Sequence, residues 1–383
     1  MEETAQKGYI ENRPAWAEIN VSAFAHNIKS LKKFTSSGTQ FFAVLKANGY
    51  GHGAVQLAKI ASQEGVDGIV VALLDEAIAL RRAGVKVPIL ILGYTTPAQL
   101  PILAEEKLTQ TIFTRKAAEE LSVAAVASGK KVKVHLKVDT GMSRVGFTAL
   151  QGLSDLLAVA RLPGLEIEGV FSHFATADEE DKSFAYYQLE SFNILLRQLE
   201  KEGLQVPLCH MANSAALLEI PDSHYNAVRA GLAIYGHYPS PASATKIDLQ
   251  PLMTVKAKIV QVKKVAAQSP ISYGCTYRCP RATRVATVPL GYADGVPRVL
   301  SGKIKAYGKG SMICQVGRIC MDQMVFDIAD APLEEGDEII LLGQGSEPKA
   351  LPELTMEKWA QLSGTISYEI MTGISNRVPR IYR

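Results

Sequence analysis

The sequence predicts a chain of two parts: an N-terminal (β/α)8 TIM-type barrel of the α/β class, followed by an all-β C-terminal domain. Three observations predict it. Eight short apolar or β-branched runs alternate with longer amphipathic segments between residues 41 and 235, the rhythm changes near Pro251, and closely spaced strand-like runs follow. The length of 383 residues agrees, because domains average roughly 150 residues and two or three are expected.

The eight runs of the first part are predicted to be barrel strands. They are FFAVLK (41–46), GIVVAL (68–73), PILILG (88–93), LTQTIF (108–113), VKVHLKV (132–138), EIEGVFSHF (166–174), PLCHMA (207–212) and YNAVRAG (225–231). Helical spacing between them is clearest at Ala117, Leu121, Ala124 and Ala125 and at Phe192, Leu195, Leu196 and Leu199. Alternating strands and helices imply right-handed βαβ units, and eight units match a closed barrel. An open doubly wound sheet is the alternative, but its G-x-G-x-x-G fingerprint is not clearly present.

The second part is predicted to begin after the connector PSPASATKIDLQP (239–251), which gives domains of residues 1–250 and 251–383. An alternative assigns residues 1–20, with WAEIN at 16–20, to the second domain. One helix is expected at LTMEKWAQLSG (354–364). The strand-like runs are MTVKAKIVQVKKV (253–265), TRVATVPLGY (283–292), KIKAYG (303–308), SMICQVGRI (311–319), MVFDIAD (324–330) and EIILLG (338–343).

Composition excludes several classes of protein. The 41 basic and 38 acidic residues leave a net charge of +3, and no basic block suggests nucleic-acid binding. Apolar runs such as GIVVALL (68–74) and VPILILGY (87–94) are too short to span a membrane, which needs about 20 residues. The N-terminus lacks the pattern of a secretory signal, so a cytoplasmic location is expected. The five cysteines lack a C-x-x-C pair, which favours reduced thiols and argues against a zinc site, and no metal is predicted.

Reactive side chains are expected at the carboxyl ends of the barrel strands. Lys46 ends the first strand within the glycine-rich AVLKANGYGHG. Phosphate sites in this fold lie after strands seven and eight, where Asn213 and Ser214 begin a helix and Arg229 leads into Gly231. A surface lysine and an ordinary helix N-cap are the alternative interpretations. Together, a lysine and a phosphate cradle describe a Schiff-base site for pyridoxal 5'-phosphate.

Nine motifs, in order along nearly the whole chain, together resemble those of alanine racemases. The motifs are AVLKANGYGHG, KVDTGMSRVGF, GVFSHFATAD, HMANSAA, VRAGLAIYG, ISYGCTYRCP, VPLGYADG, VGRICMDQM and ISYEIMTGISNRVPR. The lysine motif alone is less specific, because several kinds of pyridoxal-phosphate barrel protein carry similar ones. The matching second domain makes the resemblance specific.

The resemblance implies a two-base reaction. Lys46 corresponds to the lysine that binds the cofactor and acts as one base, and Tyr273 to the other. Inverting an α-carbon needs proton removal on one face and return on the opposite face, which two groups do best. The family's tyrosine comes from a second subunit, so a homodimer is implied. A phenol has a pKa near 10, and His173 and Arg229 resemble the family's groups that assist it and face the cofactor ring.

The resemblance also assigns the remaining site. Arg144 corresponds to the arginine at the substrate carboxylate, with a surface ion pair to Asp139 as the alternative. Lys137 matches a lysine that is often carbamylated, and a bound chloride is the other way to separate two cations there. Ser143 departs from the family's usual glycine in DTGMGR. The cofactor-binding set is Lys46, Tyr50, His173, Asn213, Ser214, Arg229, Gly231, Leu232 and Tyr368; Tyr292 and Met321 line the substrate pocket with Arg144, and Asp178, Arg298 and Arg318 line the access corridor. Apart from the resemblance, Cys320 is predicted to be a small buried, supporting thiol; a nucleophile is the alternative, but no histidine partner is evident.

The implied activity is reversible interconversion of L- and D-alanine, supplying D-alanine for peptidoglycan. Three alternatives remain at this stage: a broad-specificity or serine racemase of the same fold, a non-catalytic pyridoxal-phosphate-binding barrel protein, and a decarboxylase of the same fold type. The β domain and Tyr273 argue against the binding protein. Arg229 argues against the decarboxylase, which typically presents a glutamate to the cofactor ring. Relative rates on alanine, serine and lysine would separate the racemases.

Overall fold

The computed structural model describes residues 13–149, 151–344 and 351–383, and these residues form two compact units. One unit contains Ala23–Gly49 and Ala54–Gln250. The other contains the described residues up to Ser22, together with Tyr50–Gly53 and Pro251–Arg383. The N-terminal segment that lacks the pattern of a secretory signal lies mostly outside the described residues.

The first unit is a closed barrel of eight parallel strands, so the predicted α/β barrel is confirmed and the open sheet is wrong. Each strand pairs with the next in parallel, and the eighth pairs with the first, Val228 opposite Phe41. Every predicted run overlaps one strand. The strands, in order, are Gln40–Val44, Gly68–Val71, Ile89–Ile91, Thr109–Ile112, Val132–Asp139, Leu165–Phe171, Leu208–His210 and Ala227–Ala230; the two-residue strand Phe147–Thr148 pairs in parallel with the end of the fifth.

Helices connect the barrel strands and bury one face each. On Ser183–Lys201, Phe192, Leu195 and Leu199 are fully buried, as their spacing predicts. Helix Arg115–Ser128 begins where the Thr114 side chain accepts a hydrogen bond from an N–H of its first turn and ends at a left-handed glycine. The other helices of this unit are Val21–Lys32, Ala54–Gln63, Leu74–Arg82, Leu100–Glu105, Leu153–Ala160 and Ser214–Glu219. Among the helices described, none is both long and apolar enough to cross a membrane.

The second unit is built on one nine-stranded sheet, which confirms the predicted β domain. Strand Ala15–Ile19, which contains most of WAEIN, pairs antiparallel with Met253–Lys258. It also pairs in parallel with Arg380–Tyr382, a strand that the sequence did not reveal. The strand order is Gln261–Val265, Thr283–Val288, Met324–Asp327, Ser311–Val316, Lys305–Gly308, Glu338–Leu342, Met253–Lys258, Ala15–Ile19 and Arg380–Tyr382.

Shorter elements complete this unit. The predicted helix is present as Met356–Ser363, capped by the Thr355 hydroxyl, and a second helix, Ser367–Gly373, follows it. A small hairpin pairs Pro270–Ile271 with Tyr277–Arg278. Tyr273 lies in the turn of this hairpin, where it begins the short 3-10 turn Tyr273–Cys275.

The segment Tyr50–Gly53 packs within the sheet unit although it begins four residues beyond Lys46. The rings of Tyr50 and Tyr368 have centroids 5.8 Å apart. A Cβ atom on Gly51 would overlap the Met371 carbonyl oxygen, so this close backbone approach requires glycine. The Arg380 side chain donates to the carbonyl of Gly51 over 2.9 Å. The glycine-rich motif therefore contributes to both units.

Candidate active site

Lys46 lies two residues beyond the end of the first barrel strand, at the start of a left-handed turn. Ala47, Asn48 and Tyr50 have φ values of 52°, 53° and 49°, and Gly49 between them has 61°. Left-handed residues other than glycine each cost roughly 1–2 kcal/mol, so surrounding bonds must hold the turn. The Asn48 carboxamide oxygen accepts from the N–H of Ala54 over 3.0 Å.

Glu76 provides the second anchor of this turn and is not among the predicted site residues. One carboxylate oxygen accepts from the N–H of Ala47 over 2.6 Å. The other accepts from the N–H groups of Ala72 and Leu73 over 2.8 and 3.1 Å. Glu76 thus ties the lysine turn to the segment after the second barrel strand. Its place in the first turn of a helix after a strand was the available signal.

Four basic side chains influence one another at this end of the barrel. Burial lowers the pKa of the Lys46 amine, Arg144 lowers it further, and Glu76 opposes both. Burial also lowers the pKa of Arg229 to about 9, with Arg144 adding to the effect, so Arg229 stays charged at neutral pH. The charges of Arg229 and Arg144 both lower the pKa of Lys137. The cluster is short of negative charge and suits an anionic ligand.

Lys137 lies inside the barrel with only 5 % of its surface exposed. Its amine donates to the carbonyl of Val138 over 2.6 Å and lies 5.5 Å from the centre of the Phe171 ring. Burial, followed by the charge of Arg229, lowers the pKa of Lys137 to about 7, against the raising effect of Asp139. A substantial fraction of this amine is therefore neutral and nucleophilic near pH 7.

Arg144 occupies an exposed loop shaped by Asp139. One Asp139 carboxylate oxygen accepts from the N–H groups of Gly141 and Ser143 over 2.9 and 3.1 Å. Ser143 has a φ of 57°, the region that the family's usual glycine adopts freely. In the described part of the chain, Arg144 forms no ion pair with Asp139, so the surface-pair alternative is not observed.

Arg229, on the eighth strand, is 3 % exposed and donates in several directions. It donates to the carbonyls of Ser172 and Met211 over 2.8 and 3.0 Å. It also contacts Nδ1 of His173 at 3.1 Å and Nδ1 of His210 at 2.6 Å. A guanidinium only donates, so both Nδ1 atoms accept and each neutral ring carries its proton on Nε2. Burial, then the Arg229 charge, holds the pKa of His173 well below its usual value.

A line of polar groups continues from His210, and sequence analysis did not single it out. Nε2 of His210 lies 2.8 Å from Nδ1 of His135, and Nε2 of His135 lies 3.3 Å from Glu168. Glu168 also accepts from the Lys133 amine over 2.6 Å. The signal was present in VKVHLKV, where Lys133, His135 and Lys137 alternate and so share one strand face.

The loops after strands seven and eight are joined through Ser214. Its hydroxyl oxygen accepts from the N–H groups of Gly231 and Ala233 over 2.9 and 3.3 Å. The Asn213 carboxamide caps helix Ser214–Glu219 by accepting from Ala216 over 3.0 Å. Leu232 follows Gly231 at the start of a short 3-10 turn. Ser214, Gly231 and Leu232 are thus brought together, while the Asn213 side chain is occupied as a cap.

The loop that carries His173 is held from outside by buried Gln188. Its side chain accepts from the N–H of Ala175 over 2.8 Å and donates to the carbonyl of His173 over 3.2 Å. Asp178 lies farther along this loop and is exposed. Gln188 was not predicted, although its helical position opposite the loop follows from the pattern of Phe192 and Leu195.

The predicted residues of the sheet unit gather at neighbouring turns. Ser272, with φ of 62°, precedes Tyr273 and donates through its hydroxyl to the carbonyl of Arg318 over 2.5 Å. A Cβ on Gly274 would lie 2.6 Å from the Arg318 guanidinium, so the Tyr273 turn approaches Arg318 closely. The Tyr273 side chain remains 70 % exposed.

A second pair of turns lies beside this one. The N–H groups of Tyr292 and Ala293 donate to the carbonyls of Cys320 and Met321, each over 3.0 Å. Cys320 is half-buried, with its sulfur 3.2 Å from the Ser272 hydroxyl. Tyr292 and Met321 are exposed, at 40 % and 52 %. These contacts bring Tyr273, Tyr292 and Met321 onto neighbouring turns of the unit.

Arg298 begins a 3-10 turn, Arg298–Leu300, near the same turns. Ser301, which follows this turn, accepts through its hydroxyl from the N–H of Ile319 over 3.0 Å, which links the turn to the segment after Arg318.

Tyr50 and Tyr368 form a ring pair in the sheet unit, and burial raises the pKa of Tyr50.

Comparison with family models gives a match over both parts of the chain. Residues 19–239 match the model for the alanine racemase N-terminal domain, and residues 252–382 match that for the C-terminal domain. The chain belongs to the alanine racemase family. This family of isomerases uses pyridoxal phosphate as its cofactor.

Curated and solved alanine racemases agree with this assignment. The chain is 46 % identical to the alanine racemase of Desulforamulus reducens over 372 residues, which covers 96 % of this chain and 99 % of that one. The alanine racemase structure from Clostridium difficile 630 superposes with a TM-score of 0.92 at 39 % identity, covering 97 % and 96 % of the two chains. That from Bacillus anthracis, solved with bound L-Ala-P, gives 0.91 at 37 % identity, covering 97 % and 95 %.

Proposed function

We propose that this alanine racemase family member interconverts L- and D-alanine with pyridoxal 5'-phosphate as cofactor. The observation that carries the proposal is the cluster of Lys46, Lys137, Arg144 and Arg229, in which burial and mutual repulsion lower the pKa values of both lysines. Such a cluster fits an anionic ligand, and a substrate carboxylate is one. In the described residues, no group of three His, Cys, Asp or Glu side chains suits a metal ion.

The residues proposed for this site fit the cofactor. Lys46 would hold it through the side-chain amine, and Arg229 would face its ring nitrogen. The phosphate would be held by Ser214, the N–H groups of Gly231 and Leu232, and the hydroxyls of Tyr50 and Tyr368; His173 and Asn213 complete the proposed set. When bound, the cofactor acidifies the α-proton of the amino acid by delocalising the charge left on the α-carbon.

Lys46 and Arg144 would act directly on the substrate. Because the pKa of Lys46 is lowered, more of its amine is neutral at physiological pH and available to accept a proton. The Arg144 guanidinium would hold the substrate carboxylate and so orient the α-carbon–hydrogen bond toward a base. Lys137 would orient Arg144 after carbamylation or through a bound chloride.

Tyr273 would be the second base, on the opposite face of the substrate. Its exposed phenol, with exposed Met321 and Tyr292 on adjoining turns, is typical of a surface that another subunit covers. We therefore propose a homodimer in which the sheet unit of one subunit completes the site of its partner. Tyr292 and Met321 would limit the substrate side chain, Cys320 would support their turn, and Asp178, Arg298 and Arg318 would line the access corridor.

The enzyme is proposed to act in the cytoplasm. Its product, D-alanine, is proposed to be used for peptidoglycan synthesis. The five cysteines are free thiols, which is typical of a reducing compartment. The proposed partners are limited to alanine and a second copy of the chain, without nucleic acid or membrane. We propose a functional boundary between residues 1–250 and 251–383, with the described residues 13–20 assigned to the second domain because they pack in the sheet unit.

The activity is tested by incubating the holoenzyme with L-alanine in D2O and following optical rotation and α-proton exchange. Both are expected to change, and parallel reactions with serine and lysine are expected to be slower. If cofactor binds but neither signal changes, the chain is a binding protein and the proposal is wrong. Faster turnover of serine or lysine than of alanine would show that the alanine assignment is wrong.

Tyr273→Phe tests the second base. It removes one hydroxyl and is expected to lower racemisation by at least about 100-fold, the usual contribution of a general acid or base, while leaving cofactor absorbance intact. Tyr186→Phe is the matched control, because Tyr186 is another exposed tyrosine outside the proposed site. Equal activity in the two variants would exclude Tyr273 as a base.

A further inference from the structure

Arg229 is a buried cation, and within the described ranges no carboxylate forms an ion pair with it. Its acceptors are the carbonyls of Ser172 and Met211 and the Nδ1 atoms of His173 and His210. A buried cation is costly unless acceptors satisfy it, so the groups that hold these acceptors in place bear on how Arg229 is positioned.

The contacts of His210 define a direction. Nδ1 of His210 accepts from Arg229 at 2.6 Å, which leaves the ring proton on Nε2. That proton points to Nδ1 of His135, 2.8 Å away, so His135 in turn carries its proton on Nε2. His135 donates this proton to a Glu168 carboxylate oxygen at 3.3 Å. Both rings are fully enclosed, with exposures of 0 % and 1 %, and burial lowers the pKa of each.

Glu168 supplies a full negative charge at the far end of this line. It accepts from the Lys133 amine at 2.6 Å and from the Thr109 hydroxyl at 3.1 Å. The hydrogen bond from His135 is the largest cause that lowers the pKa of Glu168, to about 2. The carboxylate is therefore ionised at every physiological pH. Aligned hydrogen bonds polarise one another. The Glu168 charge therefore favours the tautomers of His135 and His210 that carry the proton on Nε2, and in this state Nδ1 of His210 accepts from Arg229.

We propose that Glu168 and His135 are positioning residues of the racemase site, which act through His210 to fix the hydrogen-bond acceptor of Arg229. This rests on the proposed function, in which Arg229 faces the cofactor ring. Without the Glu168 charge, His135 and His210 are free to exchange tautomers. A proton on Nδ1 of His210 would then oppose the N–H of Arg229 and displace the guanidinium.

The tautomers are measured directly by nitrogen-15 NMR of the full-length protein labelled at histidine, with and without added pyridoxal phosphate. His210→Gln and His135→Gln variants assign the signals. In the unsubstituted protein, both rings are expected to be neutral with the proton on Nε2. A protonated Nδ1 on His210 would overturn the proposal, and this result needs no variant of Glu168.

Glu168→Gln is then compared with Glu166→Gln, which removes the same charge two residues earlier on the same strand, from an exposed position. Only Glu168→Gln is expected to give mixed tautomers, and its kcat for alanine is expected to fall about tenfold with little change in KM, as for loss of a charge-assisted hydrogen bond. Unchanged tautomers or an unchanged kcat in Glu168→Gln would overturn the proposal. A protein that has the expected tautomers but does not racemise alanine would instead refute the proposed function.

Discussion

The carboxylate of Glu76 accepts a hydrogen bond of 2.6 Å from the backbone N–H of Ala47, the residue directly after Lys46. The same carboxylate raises the pKa of Lys46 against burial and Arg144. Glu76 therefore both holds the left-handed turn and moderates the basicity of the lysine that the turn presents.

Replacing Glu76 by glutamine is expected to lower the pKa of Lys46 further, because the variant keeps the shape of the side chain but loses its charge. The pKa is measured from the pH dependence of competitive acetylation of Lys46 in the cofactor-free protein. Asp75→Asn is the control, since Asp75 lies in the same helical turn and is exposed. A Lys46 pKa equal in the two variants would contradict this prediction.

Replacing Ser143 by glycine is expected to stabilise the protein. The φ of 57° disfavours serine by roughly 1–2 kcal/mol, and glycine loses part of that gain through its more flexible unfolded state, leaving about 0.5–1 kcal/mol. Urea unfolding measures the difference. Gly141→Ala in the same loop should have the opposite sign, because its φ of 132° is strained for alanine and the new Cβ would lie 2.9 Å from Phe184. Destabilisation by Ser143→Gly would show that its side chain has a separate role.

Lys137 is expected to react with carbon dioxide where Lys133 does not. A neutral amine adds carbon dioxide to give a carbamate and releases one proton. The pKa of Lys137 is lowered to about 7, whereas the hydrogen bond to Glu168 raises that of Lys133 on the same strand. With carbon-13 bicarbonate, an NMR carbamate signal is expected in the unsubstituted protein and in Lys133→Met but not in Lys137→Met. No signal in the unsubstituted protein would leave chloride as the candidate anion.

Stability in acid is expected to depend on Glu168. Its pKa falls from a usual value of 4.5 to about 2 in the folded protein, mainly through the hydrogen bond with His135. The folded state therefore binds this proton more weakly than the unfolded state, and the stabilisation is complete above pH 4.5 and lost as the pH falls toward 2. The free energy of unfolding of Glu168→Gln should vary less with pH across this window than that of Glu166→Gln. Parallel curves for the two variants would contradict the assignment.

The barrel was predictable from the sequence because its signals are local. Each strand is a short β-branched or apolar run, and each helix repeats its buried positions, as Phe192 and Leu195 do. Lys46 was also predictable from the sequence, because it ends an apolar strand-like run and precedes three closely spaced glycines. Such features require no knowledge of which strands are neighbours.

The line from His210 to Glu168 was not predictable in the same way. It depends on the register of three strands, in which His135 lies opposite Gly169 and Phe171 opposite His210. Nothing near Glu168 in the chain indicates which strand face meets His135. The left-handed turn was equally hidden, since Ala47 and Tyr50 rarely adopt positive φ and are held there by groups distant in sequence.

The division of the glycine-rich motif directly after Gly49 limits how such proteins can be recombined. Because Tyr50–Gly53 and Ala15–Ile19 belong with the sheet unit, no single cut in the gene separates the two units. A barrel exchanged at residue 250 would carry two segments selected to fit the sheet of its original parent. The glycine-rich motif that follows Lys46 and the C-terminal sheet are therefore expected to be inherited together, as one evolutionary module.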